Sequence, residues 1–212
     1  MVTLPIDIII QGDCLEVMQT FPDKSIDLII TDPPYGVRIA EWDKEFSNDW
    51  VWQASRVLKE DATLISFCGT KQFPYLAIEL DRYFNERNYL VWYSPNKGFY
   101  SPRHLLIKTE QAIISRRGYP IFNNSYNYLD LFIENSESDK WGHPSQKPTE
   151  LIRKLIHVFS SDGDLILDPF LGSGTTAVAA KRLYRHWIGI ELSEKYCELA
   201  RKRVAQCQQP MF

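Results

Sequence analysis

Asp164-Leu165-Ile166-Leu167-Asp168-Pro169-Phe170-Leu171-Gly172-Ser173-Gly174-Thr175-Thr176 is the stretch whose reading decides the fold. A short apolar run ends on an acid, turns through two glycines and enters an alanine-rich helical stretch. Glycines there let the backbone turn sharply and let a ligand approach closely. The helix start offers free amides and a positive dipole end. In a doubly wound sheet such a turn, beyond the carboxyl end of a strand, is where ligands sit. The next strand expected, Trp187–Ile190, runs into Glu191, and an acid at that place commonly holds ribose hydroxyls. The strict GxGxxG dinucleotide pattern is not met, since position 177 is Ala, which disfavours a nicotinamide enzyme.

Working outward, short apolar runs alternate with amphipathic stretches, the pattern of an α/β chain. Strands are expected at Ile6–Ile10, Ile26–Thr31, Ala62–Phe67, Tyr89–Tyr93, Gln111–Ser115, Asp164–Leu167 and Trp187–Ile190. Several are apolar throughout, as strands covered on both faces should be. Helices are expected at Leu15–Phe21, Asp49–Lys59, Lys71–Phe84, Thr149–Phe159, Thr175–Tyr184 and Glu194–Gln206. Leu151, Leu155, Ile156 and Phe159 form one helical stripe, with Pro148 at or just outside the helix start. Residues 94–142 are the least regular, with the turn formers Ser94-Pro95-Asn96, Tyr119-Pro120 and Asn123-Asn124-Ser125. This insertion is too short to own a core, so residues 1–212 read as a single domain.

The strand Ile26–Thr31 ends in a second unusual loop, Asp32-Pro33-Pro34-Tyr35-Gly36. Two prolines stiffen it and bias the residues before them toward extended geometry. A carboxylate and backbone carbonyls can then be held in fixed positions beside the flat face of Tyr35. That set fits the problem of an aromatic amino group, whose lone pair is delocalised into the ring. Two acceptors, the Asp32 carboxylate and the Pro33 carbonyl, can take its two hydrogens, favour a pyramidal nitrogen and stabilise the positive charge that develops there. No covalent nucleophile is required.

Composition sets outer limits. The chain has 212 residues, 44% of them hydrophobic and 24% charged, which describes an ordinary soluble globular protein. No apolar run is long enough to span a bilayer, and the first ten residues lack a basic signal-peptide region. Cys14, Cys68, Cys197 and Cys207 form no CxxC pair, and the histidines show no ligand spacing, so neither a metal nor a disulfide framework is expected. A reducing cytoplasm is the simplest setting. The net charge is −3, acidic for a nucleic-acid binder. One basic stretch stands out, however. Lys97, Arg103, Lys108, Arg116 and Arg117 occur between Pro95 and Gly118 against the single acid Glu110, and they are candidate phosphate contacts together with His104.

Taken together, these residues resemble the amino-methyltransferases of DNA, the adenine-N6/cytosine-N4 type. The family's catalytic signature matches Asp32-Pro33-Pro34-Tyr35. Its methyl-donor signature matches Asp168 to Thr176. His143-Pro144-Ser145-Gln146-Lys147-Pro148 matches a third signature, and Gly12-Asp13-Cys14 a fourth. The catalytic loop precedes the donor loop, as in the beta group of these enzymes.

The resemblance implies a Rossmann-like S-adenosylmethionine-dependent methyltransferase fold, with a mostly parallel seven-stranded sheet and helices on both faces. It implies S-adenosylmethionine as cofactor. Phe170, Gly172, Ser173 and Gly174 would line its pocket, beside Asp168, and Thr175, Thr176 and Lys147 would meet its methionine moiety. Glu191 would bind its ribose, and Asp13 with Cys14 would lie near its adenine. DNA is the implied partner, its target base flipped out to stack on Tyr35. The segment Gly36–Asn48, with Trp42 and Phe46, would serve as a flap. Asp32 in place of Ser favours adenine. Cytosine-N4 methylation and an inactive nucleic-acid-binding homologue are the alternatives. Homodimerisation and a paired restriction endonuclease are expectations at family level. Larger members carry a long target-recognition insertion that residues 94–142 replace with a short one, so the chain resembles the smallest members.

Overall fold

The computed structural model describes residues 4–36, 47–96, 108–123, 131–137 and 145–208. The strands, in chain order, are β1 (Ile8–Gln11), β2 (Ile26–Thr31), β3 (Leu58–Cys68), β4 (Glu86–Tyr93), β5 (Thr109–Arg117), β6 (Leu131–Ile133), β7 (Leu165–Asp168) and β8 (His186–Glu191). The helices are α1 (Cys14–Gln19), α2 (Trp50–Val57), α3 (Phe73–Leu80), α4 (Thr149–Phe159), α5 (Thr175–Arg182) and α6 (Glu194–Gln206). All the strands join one 8-stranded sheet in the order β1-β8-β7-β2-β3-β5-β4-β6. Pairing is parallel except where β5 runs antiparallel to both β3 and β4.

This is the expected mostly parallel α/β fold of a methyltransferase, with one strand more than expected. The addition is β6, three residues at the sheet edge paired with β4 alone. A run that short carries too little alternation to stand out from its irregular surroundings.

Helices cover both faces. Leu28 and Ile30 of β2, Ile166 of β7 and Trp187 of β8 point into one core, sealed by Leu151 and Leu155 of α4, Ala177 of α5 and Ala200 of α6. Ile29, Leu167 and Ile188 point the other way, against Met18 of α1, Val51 and Ala54 of α2 and Leu76 of α3. The period-2 alternation of each strand separates the two cores.

Topology fixes where a ligand can bind. From β7 the chain passes through α5 to β8 on one side, and from β2 through α2 to β3 on the other. The order therefore reverses between β7 and β2, and the crevice beyond their carboxyl ends is the topological switch point. The donor-type turn follows β7 and the Asp32 loop follows β2. Two segments far apart in sequence thus meet because their strands are neighbours.

Some boundaries moved for physical reasons. The first strand begins at Ile8, because Asp7 has φ 58. Asp7 is held there by its carboxylate, which accepts the Trp187 amide at 3.2 Å. β3 begins at Leu58, four residues before the expected start, with an irregularity in its pairing to β2. Lys59, Glu60 and Asp61 are exposed there and hide the strand from a hydrophobicity pattern. Among the described residues no helix is long and apolar enough to cross a membrane.

Candidate active site

The donor turn is tied to its neighbours mainly by amides and hydroxyls that donate to two carboxylates, Asp168 and Glu191. Asp168 ends β7 and is buried. One of its oxygens accepts the Thr31 hydroxyl at 2.9 Å and the Phe170 amide at 3.1 Å, and the other accepts the Thr176 hydroxyl at 2.6 Å. The Thr31–Asp168 bond joins the strand that carries the Asp32 loop to the strand that carries the donor turn. Burial pushes the Asp168 carboxyl up to about 6, against the hydrogen bonds that favour its ionised form.

Two positive-φ glycines shape the turn itself. Gly172 has φ 53 and Gly174 has φ 85. Gly174 caps α5, and a Cβ there would lie 2.8 Å from that of Ala200. Glu191, at the end of β8, steadies the same turn. Its two oxygens accept the amides of Gly172 at 2.9 Å and Ser193 at 2.8 Å. A carboxylate oxygen has two lone pairs, so each retains capacity for a ribose hydroxyl. Asp13 caps α1 by accepting the Leu15 amide at 2.8 Å. The adjacent Cys14 thiol is pushed up to about 12, first by burial and then by Asp13, so it stays protonated.

The Asp32 loop is held by charge. Lys147 comes from the segment before α4 and its side chain is 6% exposed. Its ammonium pairs with Asp32 Oδ2 and, at 3.1 Å, with Glu110 Oε2 from β5. It also lies over the rings of Phe67 at 5.1 Å and Tyr35 at 6.0 Å. Burial disfavours the ammonium, but Asp32 and Glu110 outweigh burial and raise its pKa. Asp32 itself is held above the usual carboxylate range by burial, which Lys147 only partly offsets. The other Asp32 oxygen accepts the Tyr35 hydroxyl, and the Tyr35 carbonyl accepts the Gln72 side-chain amide at 2.5 Å.

One cleft is lined from both sides. Asp13, Cys14, Asp168, Phe170, Gly172, Ser173, Thr175, Thr176 and Glu191 meet Asp32, Pro34 and Lys147 around it. Pro33 is buried, and neither it nor Tyr35 nor Gly174 is among the lining residues. Phe170 packs edge-on to Trp50, with ring centroids 5.7 Å apart. Lys147 borders the cleft as expected, but its ammonium faces carboxylates of the protein.

The basic candidates separate. Lys97, Arg103 and His104 lie outside the described residues, as do Trp42, Phe46, His143 and Pro144. Lys108 stands at the catalytic end of the sheet, where its ammonium donates to the Pro95 carbonyl at 2.8 Å. Arg116 and Arg117 do not join it, which corrects their grouping as one phosphate-contacting surface. Because β5 is antiparallel, its end at Arg117 pairs with Ala62, near the start of β3, whereas Thr31 pairs with Ser66, near the end. Arg116 is paired with Glu86 at 3.1 Å, and Arg117 donates to the carbonyls of Leu58 and Lys59. Their partners are structural and face away from the cleft.

Four residues of the site carried no role in the sequence. Glu110 was visible as the lone acid in a basic stretch, but its partner is distant in sequence. Gln146 lies inside the His-Pro-Ser-Gln-Lys-Pro segment, and its carbonyl oxygen accepts the Ser173 hydroxyl at 3.1 Å. Arg203 of α6, 5% exposed, donates to the Ser173 carbonyl at 2.9 Å and to the Thr175 hydroxyl at 3.1 Å. Glu137 accepts the Thr149 amide at 2.6 Å and lies 3.8 Å from Arg203. Nothing in Arg201-Lys202-Arg203 marks the last as buried.

Comparison with known proteins agrees with this geometry. The DNA methylase family model of N6/N4 methyltransferases matches residues 26–202. The chain belongs to the N6/N4 DNA methylase family. The type II methyltransferase M.HpaI of Haemophilus parainfluenzae is 32% identical over 92% of this chain and 73% of its own length. M2.MboI of Moraxella bovis, also a type II methyltransferase, is 32% identical over 92% of this chain and 86% of its own. Among solved structures, the M1.HpyAVI–SAM complex superposes with a TM-score of 0.77 at 30% identity, covering 92% of this chain and 98% of that one. The cytosine-N4-specific PvuII DNA methyltransferase shares the fold, with a TM-score of 0.78 at 22% identity over 92% of this chain and 85% of its own. This DNA methylase is thus an S-adenosylmethionine-dependent methyltransferase of the amino group of adenine or cytosine.

Proposed function

We propose that this DNA methylase transfers the methyl group to the N6 amino group of adenine at specific sites in DNA. The observation that carries the reading is the Asp32 carboxylate at the border of the donor cleft, fixed to the donor turn through Thr31 and Asp168. In the family it resembles, an acid at this position favours adenine over cytosine.

The donor set fits the cofactor. Phe170 offers an apolar face, Asp13 and Glu191 offer acceptors, and Gly172, at positive φ, brings the backbone to the rim of the cleft. Gly172, Ser173 and Gly174 would hold the methionine end with Thr175 and Thr176, and Cys14 would border the adenine end. S-adenosylmethionine supplies an electrophilic methyl on a sulfonium.

The chain supplies orientation and electrostatics. Asp32 accepts an amino hydrogen of the base and favours a pyramidal nitrogen whose lone pair faces the cleft. Its negative charge stabilises the positive charge that develops on that nitrogen. Tyr35 stacks on the base once it has left the duplex, since the paired amino group is otherwise out of reach. Lys108, at the same end of the sheet, and Lys97, Arg103 and His104 of the 94–142 insertion serve as phosphate contacts.

Methylation of random-sequence DNA, followed by mass spectrometry of the nucleosides, tests the reading. N6-methyladenine is expected as the product. N4-methylcytosine as the main product would overturn the choice of adenine and leave the family chemistry in place.

A further inference from the structure

Both oxygens of Asp32 are engaged, one by the Tyr35 hydroxyl and one by the Lys147 ammonium. The second contact opposes methyl transfer. The attacking nitrogen gains positive charge, and an ammonium on the same carboxylate repels that charge and weakens the acceptor. On another side of the ammonium, however, stands a second carboxylate. Glu110 Oε2 is 3.1 Å from Nζ. The three groups come from separate elements: the loop after β2, the start of β5 and the segment before α4. Both carboxylates are 24% exposed and the lysine 6%, so water screens the cluster only partly.

We propose that Glu110 is a positioning residue for the transfer step. It takes the Lys147 ammonium from Asp32 when the target amino group enters, and so frees the Asp32 carboxylate to accept an amino hydrogen. The movement is small, because Nζ already bridges both carboxylates. The rings of Phe67 and Tyr35 flank the ammonium and stabilise its charge. Without the Glu110 charge, Lys147 stays on Asp32 and its charge is unopposed beside the reacting nitrogen. The inference rests on the reading of Asp32 as the amino-group acceptor.

The test measures the full chain with tritiated S-adenosylmethionine and unmethylated plasmid DNA, both saturating, beside the dissociation constant for S-adenosylmethionine. In Glu110→Gln, kcat is expected to fall by about tenfold or more while donor affinity stays within about threefold. Glu110→Asp, which keeps the charge, should recover most of the rate. Glu110→Ala is a second neutral variant and decides the matter if the Gln chain does not fold. Wild-type kcat in a folded neutral variant, a loss confined to donor affinity, an Asp variant as slow as Gln, or loss of the fold in both neutral variants would overturn the proposal. An inactive wild-type chain would instead overturn the reading of Asp32 beneath it. An active wild type with an indifferent Glu110 removes this inference alone.

Discussion

The donor turn after β7 and the Asp32 loop after β2 sit on adjacent strands, yet different forces hold them. Around the donor turn, amides and hydroxyls donate to the carboxylates of Asp168 and Glu191, two glycines take positive φ, and Arg203 donates to the Ser173 carbonyl. Such bonds have one arrangement, and leaving any of them unmade is costly. Around Asp32, one ammonium is shared by two carboxylates over two rings. That arrangement can redistribute its charge without breaking the fold. The contrast suits the division of labour, with a preorganised seat for the donor beside a group that must exchange partners during the reaction.

Substitutions in the donor side and at its link to the Asp32 strand should sharpen the contrast. The largest effect is expected at Gly174. An alanine there would hold φ 85, in the left-handed region, with its Cβ 2.8 Å from that of Ala200. Gly174→Ala should cost about 2–4 kcal/mol of stability and lower transfer at subsaturating donor roughly a hundredfold. Thermal unfolding and donor titration measure the two effects. Next comes Arg203→Met, which removes the buried donor to the Ser173 carbonyl and the Thr175 hydroxyl and the cation 3.8 Å from Glu137. It should cost about 3 kcal/mol and raise the KM for the donor more than it lowers kcat. Thr31→Val removes a single buried hydrogen bond across the two strands. Its expected cost is about 1 kcal/mol, read from denaturant unfolding.

The smallest effect is a pH dependence. Asp168 is lifted from its ordinary 3.8 to about 6 by burial, so the folded chain binds its proton more tightly than the unfolded chain does. The stability this group contributes therefore increases as pH falls through about 6 toward 3.8, and is lost as pH rises again. A salt-bridged aspartate behaves in the opposite way. Asp168→Asn should gain in melting temperature relative to the wild type as pH is raised from 5 to 7. A constant difference would show that burial does not govern this carboxyl.

The donor side was the more legible in the sequence, for a physical reason. Its turn is built from neighbours in the chain: an apolar strand, glycines that permit positive φ, and a helix start. The stripe Leu151, Leu155, Ile156, Phe159 gave the limits of α4, and those of α6 also agreed with the pattern. What stayed hidden depends on partners far away. Glu110 looked like an exception in a basic stretch until β5 brought it beside Lys147. Arg116 and Arg117 looked like parts of one basic surface until antiparallel pairing turned them to the opposite end of the sheet. Periodicity cannot show the direction of a strand. The three residues of β6 were too few to carry a period at all.

The central claim is that Asp32 acts on the target amino group and not on the donor. It is tested most directly by measuring, on one preparation of Asp32→Ala, both the dissociation constant for S-adenosylmethionine and tritium transfer to DNA. Donor affinity within about threefold of wild type, with transfer reduced at least about a thousandfold, is the predicted result. Transfer at near wild-type rate would contradict it.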